Sequence, residues 1–161
     1  MDPRVASLAD ILRLNTKLFR NCLDGLTDEV ARRRPSPTTN SAAFVAAHVA
    51  DSRYFLLRIV GTDRPSPLRR YLEGAKTIDD VKELPTLAEV QEAWTAASHA
   101  LREALDGLSA EALGGPAKVR FPAADQTMLG ALTFLVQHDS YHVGQLSLLR
   151  RYAGLPAMKY T

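Results

Sequence analysis

The chain has 161 residues, 46% of them hydrophobic, and a formal net charge of only +2, which fits one domain (residues 1–161) around a single core and gives no basic excess for a nucleic-acid surface. Its arginine groups, Arg32 to Arg34, Arg69 with Arg70, and Arg150 with Arg151, alternate with acids and read as solvated loop and helix-end charges. The start, Met-Asp-Pro-Arg-Val, lacks a basic-then-apolar leader and no run approaches about 18 apolar residues, so the expectation is a soluble, cytoplasmic protein with no membrane or nucleic-acid partner.

Four long helical patterns follow one another, with no convincing period-two strand. The first spans residues 4–26, with Leu8, Ile11, Leu12, Asn15, Leu18, Phe19 and Cys22 on one face and Asp24-Gly25 at its end. Cys22 is the only cysteine, so no intramolecular disulfide forms, and its place in the stripe assigns it to packing rather than nucleophilic work. The second helix spans 41–60, capped by Asn40 or Ser41 and stopped by Gly61. A connection over 62–85 carries three prolines, with short helical turns near Leu68 and Val81. The third helix opens on the capping box Thr86-Leu87-Ala88-Glu89 and runs to about 108. After the irregular stretch 109–124, the fourth runs from Gln126, capped by Asp125, to Ala153, where Gly154 and Pro156 stop it.

Four such helices predict an all-α four-helix bundle. A helix of about 20 residues is about 30 Å long, and roughly nine extended residues run back along it. The connection between helices two and three is therefore long enough to cross the bundle and set those helices parallel. From Gln126 to Leu149 the fourth helix has one formally charged side chain, Asp139, histidines aside. Its central stripe is flanked on one side by Phe134, Tyr141 and Leu148 and on the other by Leu132, Val136 and Val143. A helix covered nearly all round predicts either a second subunit packed on it, a homodimer through helix four, or a central place within one subunit.

The histidines carry the chemical signal. His138 and His142 lie four apart and share a helix face, so both imidazoles can reach one metal ion. His48 sits in the apolar stripe of the second helix, among Phe44, Val45, Ser52 and Phe55. Alone, His48 reads as a hydrogen-bonded core histidine, and the His138 and His142 pair reads equally as core or as metal ligands. Together they read as a three-histidine metal centre with an open coordination position. His99 falls with Glu92, Thr95, Arg102 and Asp106 on a polar face and reads as solvated. No glutamate follows His138 as it would in a His-Glu-x-x-His metalloprotease; Asp139 stands there, either a carboxylate bracing a ligand or a surface residue. Gln145, one turn past His142, can touch a bound ligand, brace a metal-binding histidine or pack at the bundle edge, and Asp51, one turn past His48, is likewise a candidate to brace a histidine or touch a ligand. Phe44, Phe55 and the loop 118–121 are candidate pocket walls.

The segment His138-Asp139-Ser140-Tyr141-His142-Val143-Gly144-Gln145-Leu146, followed by Leu149-Arg150-Arg151-Tyr152-Ala153-Gly154-Leu155-Pro156, resembles the C-terminal signature of the DinB/YfiT-like superfamily. The segment Asn40-Ser41 through Ala47-His48-Val49-Ala50-Asp51 resembles that family's first ligand region, and the likeness covers essentially the whole chain. The name denotes small damage-inducible metalloproteins, not the DNA polymerase that shares it. The resemblance implies an up-down-down-up four-helix bundle, a homodimer in many members, and a divalent metal, often zinc or nickel, on residues matching His48, His138 and His142. It also implies thiol-dependent chemistry: characterised relatives are mostly S-transferases using bacillithiol or mycothiol, and a maleylpyruvate isomerase.

Three functions follow as expectations. The first is a metal-dependent thiol S-transferase of detoxification type, with a low-molecular-weight thiol attacking a small electrophile. The second is a metal-dependent hydrolase with Asp51 or Asp139 as a distant base, which lacks the well-placed glutamate of efficient peptide hydrolysis. The third is a metal-binding stress-response dimer without turnover.

Overall fold

Helix starts are set by short polar side chains that take free backbone N–H groups. In the computed structural model, which describes residues 1–75 and 77–160, seven α-helices follow in order. They are α1 (Pro3–Leu23), α2 (Asp28–Arg32), α3 (Ala42–Ile59), α4 (Arg69–Leu72), α5 (Leu87–Asp106), α6 (Ala110–Gly114) and α7 (Met128–Tyr152). A single 3-10 turn, Ile78–Asp80, sits between α4 and α5. Lys76, in the predicted crossover, and Thr161, the last residue of the predicted domain, lie outside the described residues.

Asp2 caps α1, with Pro3 at the first helical position, where a missing N–H costs nothing. Ser41, not Asn40, caps α3: its Oγ accepts from the Phe44 N–H at 3.2 Å. The capping box of α5 closes in both directions, Glu89 N–H to Thr86 Oγ1 at 3.2 Å and Thr86 N–H to Glu89 Oε2 at 2.8 Å.

Three boundaries differ from expectation. The first helix ends at Leu23, and the polar stretch after it folds into the one-turn α2, capped by Thr27. The stretch after α5 likewise holds α6, capped by Ser109. Single turns are too short to show a helical period. α7 starts at Met128 with Thr127 as its cap, because Asp125 and Gln126 belong to the loop before it. There the Asp125 carboxylate accepts from the Thr127 N–H, and Ala117 N–H donates to Gln126 O at 2.8 Å. That loop presses onto Gly130, where a Cβ would lie 2.1 Å from the Asp125 carbonyl oxygen, so any side chain at 130 would push the loop off α7.

The four long helices pack as a bundle, and their contacts fix its directions. Along α1 and α7, Asn15 meets Asp139 and Ser140 while Cys22 meets Val143 and Arg150, so these helices are parallel. Arg4 bonds the Ala110 carbonyl, just past α5, while Thr16 meets Trp94 further along α1, so α1 and α5 are antiparallel. His48 meets His138 while Arg58, one helix end away, meets Lys118 before α7, so α3 and α7 are antiparallel too. The order is therefore up-down-down-up, with α3 parallel to α5. In the described part of the chain between them, Leu68 is buried and the Tyr71 hydroxyl donates to Glu89 Oε1 at 2.9 Å.

The core is aliphatic, with one aromatic stack, Phe19 on Trp94 at 4.0 Å. Arg150, read from sequence as solvated, is buried and turns inward. Its guanidinium donates to the Cys22 and Asp24 carbonyls at the end of α1 and to the Pro156 carbonyl at 2.8 Å, meeting the orphan acceptors of a helix terminus. Among the described residues no helix is long and apolar enough to cross a membrane.

Candidate metal centre

His48 on α3 faces His138 and His142 on the antiparallel α7. The spacing of four places the last two on one face, and the packing of α3 against α7 brings the third ring to them. His48 Nε2 lies 3.3 Å from His138 Nε2, and His142 Nε2 lies 3.0 Å from the same atom. The three ligand-capable nitrogens all fall within 4.8 Å of one another, on half-buried side chains.

Hydrogen bonding assigns the proton of one ring. His142 Nδ1 is 2.7 Å from Gln145 Oε1, an atom that can only accept, so Nδ1 carries the proton and Nε2 keeps its lone pair. Gln145 Nε2 donates in turn to the Tyr141 hydroxyl at 3.0 Å. Gln145 thus holds a histidine from behind, the outer of the two placements expected for it beside the cluster.

His138 is less easily satisfied. Its Nδ1 is buried with no hydrogen-bond partner, and its Nε2 faces two other ring nitrogens. One nitrogen, with one proton or one lone pair, cannot serve both. A shared cation resolves this, since all three Nε2 lone pairs then point at it. The spacing agrees: ligands 2.0–2.1 Å from a tetrahedral zinc stand about 3.3 Å apart. The donor set therefore fits a divalent ion.

The electrostatics favour neutral rings, the form a metal needs. Burial, reinforced by the neighbouring His142, pushes His48 down to about 4, with Asp51 pulling the other way. Burial also pushes His138 down to about 4, helped by His142 and His48. His142 is lowered by burial, opposed by its bond to Gln145 and by Asp139.

Aromatic rings surround the cluster. Phe44 lies nearly parallel to the His48 ring at 6.2 Å, and the Tyr141 ring meets His142 edge-on at 5.2 Å. Phe55, Phe121 and Phe134 form a chain of rings, 6.1 and 5.5 Å apart, ending 6.4 Å from the His138 ring. Of the expected walls, Phe44 lies against a histidine, whereas Phe121 and Phe55 reach the cluster only through Phe134. Phe134, grouped from sequence with the exposed Tyr141 and Leu148, joins this wall instead.

Asp139 departs from one of its two expected roles, that of a surface residue. It is 3% exposed, so it is no surface residue, and the hydrogen bonds it accepts come from Arg53 and Asn15 rather than from a histidine. Asp51 is half-buried one turn after His48. Sequence reasoning missed Arg53, yet a signal was there. It stands at an inward position of the α3 stripe that includes Ala46, Val49 and Leu57, where an arginine requires a buried partner. The two controls behave as expected: His99 is exposed beside Glu103, and Cys22 is buried, its thiol pushed up to about 11 by burial. A cavity of about 320 Å³ lies between α1 and α5, lined among others by Leu12, Thr16, Ser98 and Leu101, and it includes no histidine.

The sequence matches the family model of the DinB superfamily over residues 11–146. No curated protein matches it. Among solved structures the fold is similar to a DinB-like protein from Bacillus cereus ATCC 10987, at TM-score 0.73 and 21% identity, covering 95% of each chain. It is also similar to the crystal structure of a conserved protein from Enterococcus faecalis, at TM-score 0.70 and 15% identity, covering 92% of this chain and 96% of that one.

Proposed function

The chain belongs to the DinB superfamily, and from that premise we propose that it is a divalent-metal protein using His48, His138 and His142 for thiol-dependent S-transfer. The carrying observation is the convergence of three Nε2 atoms that hydrogen bonding alone cannot satisfy. Zinc or nickel suits three imidazoles. Bound there, a divalent ion supplies Lewis acidity at an open position, which keeps a small thiol deprotonated at neutral pH.

The protein's own residues do the rest. Gln145 fixes the tautomer of His142 and so aims its Nε2 inward. With Asp139 held by Arg53, the hydrogen bonds of His48, His138 and His142 among the described residues include no carboxylate, and a metal held there keeps a positive character that favours an anionic thiolate. Phe55, Phe121 and Phe134 offer an apolar wall for a small electrophile. Metal-dependent hydrolysis is the second reading, and the geometry supports it less. One of its two candidate bases, Asp139, already spends both oxygens on Arg53.

The same reading includes a homodimer through α7. The face of α7 turned to solvent carries Thr133, Gln137, Tyr141, Gly144 and Leu148, all uncharged, with Tyr141 56% and Leu148 58% exposed. On α1, which packs against α7, Ile11 and Leu14 are 40% and 42% exposed. Light scattering on the purified chain measures the mass, and a monomer at micromolar concentration removes the dimer.

Metal-to-chain stoichiometry of the untagged protein is the first test. One equivalent of zinc or nickel, followed by thiol conjugation of a model electrophile that is lost in the apo protein and restored by metal, supports the proposal. Metal binding without thiol turnover leaves a binding protein in its place.

A further inference from the structure

One buried arginine touches all four long helices. Arg53, on α3 and 2% exposed, uses every one of its five N–H donors. Nε donates to Asp139 Oδ1 on α7 at 3.2 Å, and one terminal nitrogen donates to Asp139 Oδ2 at 2.8 Å and to the Leu12 carbonyl on α1 at 3.2 Å. The other terminal nitrogen donates to Thr16 Oγ1 on α1 at 2.7 Å and to Ser98 Oγ on α5. The guanidinium carbon stands 3.4 Å over the Trp94 ring, also on α5. Asp139 takes a further bond from Asn15 Nδ2 on α1 at 3.1 Å.

Stability does not explain this node, because a buried ion pair does little more for stability than well-packed apolar residues of the same volume. What a two-pronged arginine–carboxylate contact supplies is direction. It sits where direction matters: Asp139 follows His138 in sequence, and Arg53 shares α3 with His48. We infer that Arg53 and Asp139 are the positioning pair of the metal centre, a second cross-link between α3 and α7 that fixes the rotation of α7 and so the convergence of the three Nε2 atoms. This rests on the proposed metal reading.

The magnitude supports it. A side-chain tip about 5–6 Å from a helix axis moves about 2 Å when the helix turns by about 20°. Ligand distances in a metal site tolerate about 0.2 Å, hence about 2° of rotation. Histidine contacts at one edge of the α3–α7 pair leave such rotation free. A directional contact in the bundle interior, at another azimuth of the same pair, removes it.

The test is a cobalt(II) titration of the full chain, read by visible absorption and by thermal melts of the apo protein. Four proteins are compared: wild type, the charge-balanced double variant Arg53→Met/Asp139→Leu, Ser98→Ala, and Leu101→Ala as a core variant on a helix without ligands. Wild type is expected to bind one cobalt with a tetrahedral-type spectrum. The double variant is expected to keep a cooperative melt yet bind cobalt about 10- to 100-fold more weakly, with shifted bands, the usual cost of losing the groups that orient metal ligands. Leu101→Ala is expected to melt lower with affinity and spectrum unchanged. If the double variant does not fold, Ser98→Ala decides: it removes one acceptor from Arg53 and is expected to weaken cobalt binding several-fold. Wild-type affinity and spectrum in the folded double variant, or in Ser98→Ala where that variant decides, overturn the positioning role alone. No cobalt binding by wild type overturns it together with the metal reading.

Discussion

His138 and Asp139 are adjacent on α7, yet they belong to two polar clusters of opposite character. Around Asp139 the accounting closes: Arg53 finds an acceptor for each donor, and Asp139 has a partner for each oxygen. Around His138 it does not close: one ring nitrogen has no partner and the other faces two rivals. A completed network is structure, whereas an incomplete one of metal-ligand type is a place for something else to bind.

Opening the completed cluster should cost the most. Asp139→Ala leaves a buried guanidinium without its counter-charge, and chemical denaturation should show a loss of about 3–5 kcal/mol. A loss below about 1 kcal/mol would mean that water reaches Arg53 and that the two clusters differ less than they look. Next comes His142→Ala. In wild type, zinc at about a hundredfold excess over its dissociation constant should add about 2.7 kcal/mol of stability by mass action. In the variant it should add nothing, and an equal metal-induced rise in Tm would place the ion elsewhere.

The incomplete cluster should also respond to acid. In the metal-free protein His48 and His138 titrate near 4, against 6.5 ordinarily. Between these values the unfolded chain binds protons that the folded chain does not, so stability falls as pH drops from 6.5 towards 4 and levels off below. Apo melts of wild type and of His48→Gln/His138→Gln across that range measure it, and parallel curves would contradict it. Smallest of all is His99→Ala. This exposed residue should change neither metal content nor Tm measurably, and loss of metal there would refute the assignment of helix faces.

The bundle was legible in the sequence because long amphipathic helices with Thr86, Ser41 and Gly154 at their ends announce themselves locally. The one-turn helices were not, being shorter than the period that would reveal them. The histidines were legible through a spacing of four within one helix and an inward position on another. Gln145, the partner of His142, was legible from the same helical spacing. The Asp139 network was not: Asp139 was read against its sequence neighbour His138, while its partner, Arg53, lies 86 residues away. Arg150 was misread for the same reason, since its partners Cys22 and Asp24 are at the far end of the chain. A charged residue in a helical stripe states that a partner exists, but which one it is depends on how the helices pack.

His48 and His138 are 90 residues apart, and the crossover that makes α3 and α5 parallel lies between them. His48 is synthesised in the first third of the chain, while His138 and His142 arrive only with the last helix. Closing so long a loop is slow in folding terms, because its entropy is lost before any contact repays it. No nascent chain lacking α7 can assemble the three-histidine cluster, so under the proposed metal reading capture of an ion would report that the final helix has docked.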